Sequence, residues 1–595
     1  MKQEIYYTYS IMTTDLISSM LASRRYLGRK SQSRMASMLR IPDTPNIHDI
    51  QNLAPIRPSF QQIFDATNQH KKLPHDSMKI HRPQKNCLIV CFDKYFGFAR
   101  DNVIPWNIKE DFGMFLDVTK RSTNGKKNVI LMGKNTWYAL PDVSRGLKDR
   151  INMVVSGSMT PQDLLTSNVT KTETYLWRHL NDAINSTYNM DINNVFIGGG
   201  HEIYREALEK CFIDEIYLTV IDHDFKCDKV FPWEELQDVL DEYNIVKDKT
   251  FDLINNADQD LPKYPVRFIK LVHRDCESSL PHDHDHHDHH DHHHDVPSFS
   301  DNPYLNLLDK VYRTGGRRLT RNGYTYSLFG QTMDFDLKHG FPLLTTKNVS
   351  LNNIFQELMF FIKGQTNTNL LKALNVNIWN QNTTREFLDS VKLVDYEDGD
   401  MGPMYGFQWR HFGAAYAGMN ACYDGMGVDQ LKNCIELIKT DPHSRRIIMT
   451  TFNPAQAAEG CLYPCHGVAI QFYVEGTNRL SCMMNQRSAD LFLGVPYNIA
   501  SYALLLHMIC EVVNAGDKNI SKLVMVPGRL VIVLGDVHIY ESHLVQVVRQ
   551  LLREPIAFPQ IKFNRKISNI EDFQLEDISL ENYKPYPNIP AKMVV

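Results

Sequence analysis

Short apolar runs, each closed by a polar turn, recur through the middle of the chain. Lys85–Phe92, "KNCLIVCF", has buried-strand character. A loop, "GFARDNVIPW" (Gly97–Trp106), leads to "NIKEDFGMFLDVTK" (Asn107–Lys120), whose spacing predicts a helix. On it Phe112, Phe115, Leu116 and Val118 are expected to face a core, with Asp111 one turn before Phe115. Three further strand–turn–helix junctions follow: "NVILMGKNTW" (Asn128–Trp137), "RINMVVSGS" (Arg150–Ser158) and "NVFIGGGHEIY" (Asn194–Tyr204). Later, "VAIQFYV" (Val468–Val474) alternates as a half-buried strand does, and "NQRSADLFLG" (Asn485–Gly494) reads as its neighbour. No run of eighteen apolar residues occurs, which argues against a transmembrane span.

Between these halves the pattern stops. Pro281–Asp295 holds nine His and five Asp among fifteen residues, a segment that cannot build a core and reads as a solvated linker. Imidazole and carboxylate also suit metal buffering, but no fixed geometry supports a site. The chain thus divides into an extension (1–80), a first domain (81–276), a linker (277–302) and a second domain (303–595). Leu16–Pro42 carries six basic residues, six serines and no acid. That composition fits either mitochondrial targeting or a poorly ordered extension; the latter, with a cytoplasmic protein, is the expectation. A net charge of −5 argues against a nucleic-acid partner but leaves room for local anion sites. Eleven scattered cysteines point to free thiols in a reducing compartment.

Glycines that follow a strand let the backbone approach a phosphate, and the next helix offers free N–H groups. Several such turns in one α/β unit suggest a dinucleotide lying across the strand ends. With "LMGKNTW", "LKDRINMVVS", "FIGGG" and "YLTVIDHDFKCDKVFP" in order after "GFARDNVIPW", the first domain resembles dihydrofolate reductase. The resemblance implies an α/β fold with a central, mostly parallel sheet flanked by helices, and NADPH-dependent reduction of dihydrofolate. Asp111 would bind the pteridine and help to protonate N5, supported by Thr219, while Arg150 would hold the folate glutamate. Phe115 and Ile197 would line the folate site. Ala99, Trp106, Gly133, Lys134, Asn135, Thr136, Ser156, Gly198, Gly199, Gly200 and Glu202 would hold NADPH. Ala99 replaces a customary glycine, and Ser-Gly-Ser after Val155 lacks an arginine for the 2′-phosphate. Lys134, alone or with His201, is left to read that group.

"GCLYPCHG" (Gly460–Gly467) raises a choice between metal clasp, disulfide, inert packing and nucleophile. Zinc would need a fourth ligand, for which only Cys482 is near, and disulfides are disfavoured by the compartment. Inert burial fits Cys461 or Cys482. Cys465 has different company: Arg487 and Ser488 twenty residues on, and Arg445 and Arg446 in "DPHSRRII", supply the positive charge that a thiolate and a phosphate need. "FPLLTTK", "ELMFFIKGQTN", "NIWNQNTTREFLD", "GPMYGFQWRHFGA", "DPHSRRIIMTTFNP", "PCHGVAIQFYV", "NQRSADLFLGVPYNIASYALLLHMI" and "LGDVHIYESH" then appear in order, and the second domain resembles thymidylate synthase.

That resemblance implies an α+β fold, a homodimer packed through its sheet, and Cys465 as nucleophile on C6 of dUMP. Arg487, Arg445, Arg446 and Ser488 would hold the phosphate, the adjacent pair lent by the opposite subunit, and Arg487 would favour the thiolate. Arg321 is the choice for a fourth phosphate arginine, with Arg317 and Arg318 competing. Asn498 would read the uracil edge, while His538 and Tyr540 would bind the ribose. His466 and Gln486 complete the nucleotide site. Glu357 and Tyr405 would serve proton transfer at the base. Trp379, Asp490 and Gly494 would contact the methylenetetrahydrofolate co-substrate. One chain carrying both domains resembles the fused enzymes of protozoa and plants, with no membrane partner. A synthase with a degenerate reductase-like module, or a metal-binding scaffold around the His/Asp run, are the alternatives.

Overall fold

The computed structural model describes residues 59–68, 84–141, 145–164, 172–279, 301–515 and 524–594. The basic stretch near the amino end and the His/Asp-rich run lie outside the described residues.

Eight strands build the first sheet: β1 Asn86–Asp93, β2 Asn128–Gly133, β3 Arg150–Val155, β4 Thr174–Trp177, β5 Val195–Ile197, β6 Glu215–Ile221, β7 Tyr243–Ile254 and β8 Lys263–His273. Their order is β4-β3-β2-β5-β1-β6-β8-β7. The six from β4 to β6 run parallel, and β8 and β7 close the edge antiparallel. Strands β2, β3 and β5 are buried throughout, so their sequences are mainly apolar runs rather than alternations, with Asn128, Arg150 and Asn152 as buried polar exceptions. Parallel order also places the carboxyl ends of β2, β3, β4 and β5 side by side, where the glycine turns lie.

Part of the segment expected to be poorly ordered is folded. Phe60–Asn68 forms a helix on the reductase-like core, with Phe60, Ile63 and Phe64 buried. Phe60 packs against Phe92 at 5.7 Å and Phe96 at 5.9 Å, and Arg267 lies 4.5 Å from the centre of Phe64. The i, i+3, i+4 apolar spacing that drives docking is present in the sequence but is overshadowed there by its surroundings. Phe60→Ala should destabilise this unit by about 3–5 kcal/mol, the usual cost of emptying an aromatic core position. A thermal midpoint unchanged by the substitution would show that the helix is dispensable.

The second sheet has six strands: β9 Gly316–Thr320, β10 Gly323–Asp336, β11 Ile448–Met449, β12 Ala469–Glu475, β13 Arg479–Asp490 and β14 Val526–Tyr540. They lie in the order β9-β10-β14-β13-β12-β11, with only β13 and β14 parallel among neighbours. The helix Gly494–Ala515 is long and apolar enough to cross a membrane, but fifteen of its residues are buried here against the protein's own core. The opposite face of the sheet stays open, with Phe329 84% exposed, Tyr473 62% and Ile448 50%.

Candidate functional site

Asp111 stands in the first turn of the helix Lys109–Lys120. Across from it, Cys91 on β1 and Thr219 on β6 occupy one rung of the sheet. Burial pushes the Asp111 carboxyl up, against the opposing influence of Thr219 and Cys91. The Thr219 hydroxyl is fully buried beside the acid, close enough to favour its charged form though outside hydrogen-bond geometry. Trp106 is buried and packs on Phe225 at 5.1 Å. Phe112, expected in the core, is instead 62% exposed. The helix turns Gly113, Met114 and Asp117 inward, and Phe112 falls on the open side.

Arg150 is 3% exposed, and among the described residues no carboxylate forms an ion pair with it. Its guanidinium donates to the Thr119 hydroxyl at 2.6 Å and the Lys148 carbonyl at 3.2 Å, and lies 5.8 Å from the Phe115 ring. Burial lowers its pKa to about 10.

At the strand ends, Gly133 N–H donates to the Gly199 carbonyl at 2.6 Å, tying two turns together. Ile197 closes β5, Gly198 follows, and the Gly199–Gly200 peptide is cis. A Cβ on Gly199, at φ +108°, would meet the Tyr204 ring at 2.9 Å, so only glycine fits. Thr136 faces Gly200 across the cleft, Asn135 is exposed beside it, and Glu202 turns to Arg205 on its own helix. Ala99 has no positive φ; the left-handed residues of its loop are Asp101 and Asn102. Alanine therefore strains nothing there in place of the customary glycine.

Lys134 Nζ reaches Ser158 at 3.2 Å, and Ser156 accepts from the Ser158 and Met159 amides. His201 is engaged by the Val230 carbonyl at 2.7 Å. Sequence reasoning missed Arg178, which donates to the Gly157 carbonyl at 2.8 Å and brings a cation to the Ser-Gly-Ser turn. Its signal was its position just past β4, the parallel neighbour of β3.

In the second half, Cys465 follows Pro464 in a loop clamped by Arg487, which donates to the Pro464 and Tyr463 carbonyls at 2.8 Å each. The Tyr405 hydroxyl accepts from the Cys465 amide at 3.1 Å. Burial raises the Cys465 thiol, and Arg487, Tyr405 and Arg321 only partly offset it. The expected gain of thiolate from Arg487 is real in direction but outweighed in the free chain. Arg321 is thus the loop arginine that acts on the sulfur. Arg317 is spent on Glu541 at 2.8 Å and on the Tyr324 ring, and Arg318 pairs with Asp536 at 3.2 Å.

Gln486 donates to Asn498 Oδ1 at 3.1 Å, leaving the Asn498 amide N–H groups free to donate elsewhere. His538 is held by Asp536, with Tyr540 edge-on at 5.3 Å. Asp490 accepts from the Phe492 and Leu493 amides, and Gly494 faces it. His466 is stacked on Tyr405 and kept neutral, its pKa lowered by burial to about 3. Ser488 is half-buried on β13, whereas Arg445 and Arg446 stand exposed in the loop before β11.

Glu357 is buried, and Trp379 Nε1 donates to it at 2.9 Å. Burial lifts its carboxyl from 4.5 to about 7. The folded state then keeps this proton to higher pH than the unfolded chain does. Its contribution is therefore present below about 4.5 and lost as pH rises through about 7, on the order of 3 kcal/mol. Glu357→Gln, which does not titrate, should gain thermal midpoint relative to wild type between pH 5 and 8. Parallel midpoints for the two across that range would place the carboxyl's pKa near its unfolded value.

The folds and sites define two enzyme units on one chain: a dinucleotide-type α/β unit with a half-buried acid, and an α+β unit with a cysteine among arginines. Family comparison matches residues 87–271 to dihydrofolate reductase and residues 302–595 to thymidylate synthase. A bifunctional dihydrofolate reductase-thymidylate synthase of Zea mays is 36% identical over 528 residues, covering 86% of this chain and 98% of that protein. Those of Arabidopsis thaliana (37% over 532 residues; 85% and 96% covered) and Leishmania amazonensis (35% over 534; 85% and 95%) are similar throughout. The chain belongs to the bifunctional dihydrofolate reductase–thymidylate synthase family.

Proposed function

We infer that the chain methylates dUMP to dTMP with 5,10-methylenetetrahydrofolate and reduces the dihydrofolate so formed with NADPH. The observation that carries this is the pairing on one chain of Cys465, flanked by Arg487 and Arg321, with Asp111, half-buried beside Thr219. The first site releases what the second consumes.

In the synthase, Cys465 Sγ adds to C6 of the uracil, which makes C5 nucleophilic toward the methylene carbon. Glu357 and Tyr405 handle protons at the base. Loss of the C5 proton and return of a hydride from the folate release the sulfur, leaving dTMP and dihydrofolate. Arg321, Arg487 and Ser488 hold the phosphate, with Arg445 and Arg446 lent by a second copy docked on the open sheet face. In the reductase, Asp111 binds the pteridine and helps to deliver the N5 proton, Arg150 takes the glutamate carboxylate, and Phe115 borders the ring. Bound NADPH supplies the hydride. Gly133, Gly199, Gly200 and Thr136 fit its backbone approach, and Lys134 with Arg178 fit the 2′-phosphate. All eleven cysteines are free thiols, which supports a cytoplasmic setting.

The test is to supply dUMP, methylenetetrahydrofolate and NADPH and to follow dTMP and NADP⁺ together. Formation of dTMP with no NADPH oxidation, even on added dihydrofolate, would leave a synthase with a binding module.

A further inference from the structure

The helix Lys109–Lys120 and the residue that caps it present two faces. Asp111 and Phe115 belong to the reductase cleft. Gly113, Asp117 and Arg121, spaced by four, lie against the synthase half. At Gly113 a Cβ would stand 3.2 Å from Cδ of Arg549, so the bare glycine admits that arginine's stem. Arg121 stacks 4.1 Å from the centre of the Tyr586 ring. Between them, Asp117 is gripped by two guanidiniums. Arg549 donates to its carboxylate at 2.8 and 2.7 Å, and Arg553 at 2.9 and 3.0 Å.

The inner part of this contact is buried and anchored. The side chains of Asp117 and Arg553 are 6% and 1% exposed. Arg553 also donates to the carbonyls of Thr346 at 2.6 Å and Pro587 at 2.7 Å. Thr346 is fixed in turn by the buried carboxylate of Asp301, which accepts from its amide at 2.7 Å. Burial would raise the Asp117 carboxyl, but the two arginines outweigh it and hold it below the usual range. Removing one member would strand buried charge, so the ion cluster resists sliding.

We propose that Arg549 and Arg553 of the synthase half are positioning residues for the reductase reaction, holding Asp117 and so setting where Asp111 and Phe115 stand in the cleft. The lever is a rigid helix, and Asp111 lies six residues, about 9 Å, from Asp117. A displacement of about 1 Å at a reacting group lowers turnover or binding by up to about a hundredfold. The inference rests on the reductase reading above.

The experiment compares, in the full-length chain, Asp117→Asn, Arg553→Gln, their double variant and Arg549→Gln. Each single variant should raise the dihydrofolate KM about tenfold and move the acid limb of the reductase pH profile, because Asp111 would change its burial. Synthase kcat and the dUMP KM should stay at wild-type values. The double variant should be no worse than the worse single one, as expected when both changes break one interaction. A role in stability alone would lower the thermal midpoint and leave KM and pH profile in place, which would overturn the proposal, as would additive effects. Arg549 is partly exposed, so Arg549→Gln provides a folded chain if the buried variants do not accumulate. Wild-type reduction of dihydrofolate, lost in Asp111→Asn, separates failure of this proposal from failure of the reductase reading.

Discussion

Refolding Cys465→Ala and Arg446→Glu chains together should restore roughly a quarter of the wild-type synthase sites, although each variant alone is nearly inactive. Cys465→Ala removes the sulfur that attacks C6 but leaves its arginine loop intact. Arg446→Glu keeps the sulfur and sets a carboxylate beside the phosphate in a neighbouring subunit's site. Arg445 and Arg446 are exposed, and the charges that act on Cys465 within its own chain come from Arg487 and Arg321. A two-fold dimer exchanges equivalent patches, so a mixed dimer holds one doubly damaged site and one intact site. Half of randomly mixed dimers are heterodimers, which yields the quarter. Heterodimers that form without regained activity would put both arginines in their own subunit's site, or away from the phosphate altogether.

Asp111→Asn should lower dihydrofolate reduction by roughly 10²–10⁴-fold, the usual effect of losing a positioned acid or base. Asparagine preserves the shape and keeps a polar contact with Thr219, so substrate binding should suffer less than turnover. The loss should shrink as pH falls, because solvent acid then supplies the proton that the side chain no longer helps to deliver. Stability should move the other way: a carboxyl whose pKa is raised by desolvation is a cost at neutral pH, and its amide is not. Synthase turnover should be unaffected. Steady-state rates of both activities across pH, together with the thermal midpoint, check all five expectations, and retained reduction at neutral pH would remove Asp111 from the chemistry.

The chemistry of both halves was legible because it sits in local runs. "PCHG" and "GFARDNVIPW" set a nucleophile and an acid within a few residues of the loops that hold them, and strand–glycine–helix junctions carry their geometry in their own backbone preferences. Helical periodicity was a weaker guide. It assigned Phe112 to a core because a hydrophobic stripe says which residues share a face, not what that face meets.

The loop arginines show where reading along the chain ends. Arg317, Arg318 and Arg321 are alike in sequence. The register of β9 against β10, and of β10 against β14, brings Glu541 and Asp536 to the first two and leaves the third, in the turn, for Cys465. Arg178 gained its meaning in the same way, from a parallel strand laid beside β3. The longest step is Asp117, a plain helix acid in sequence, which meets Arg549 from 432 positions away. Local sequence determined which residues carry reactive groups and the elements that present them. Which charges face each other, and which are taken out of water, was decided only when the two halves packed, because Coulomb energy and desolvation depend on distance and burial rather than on order along the chain.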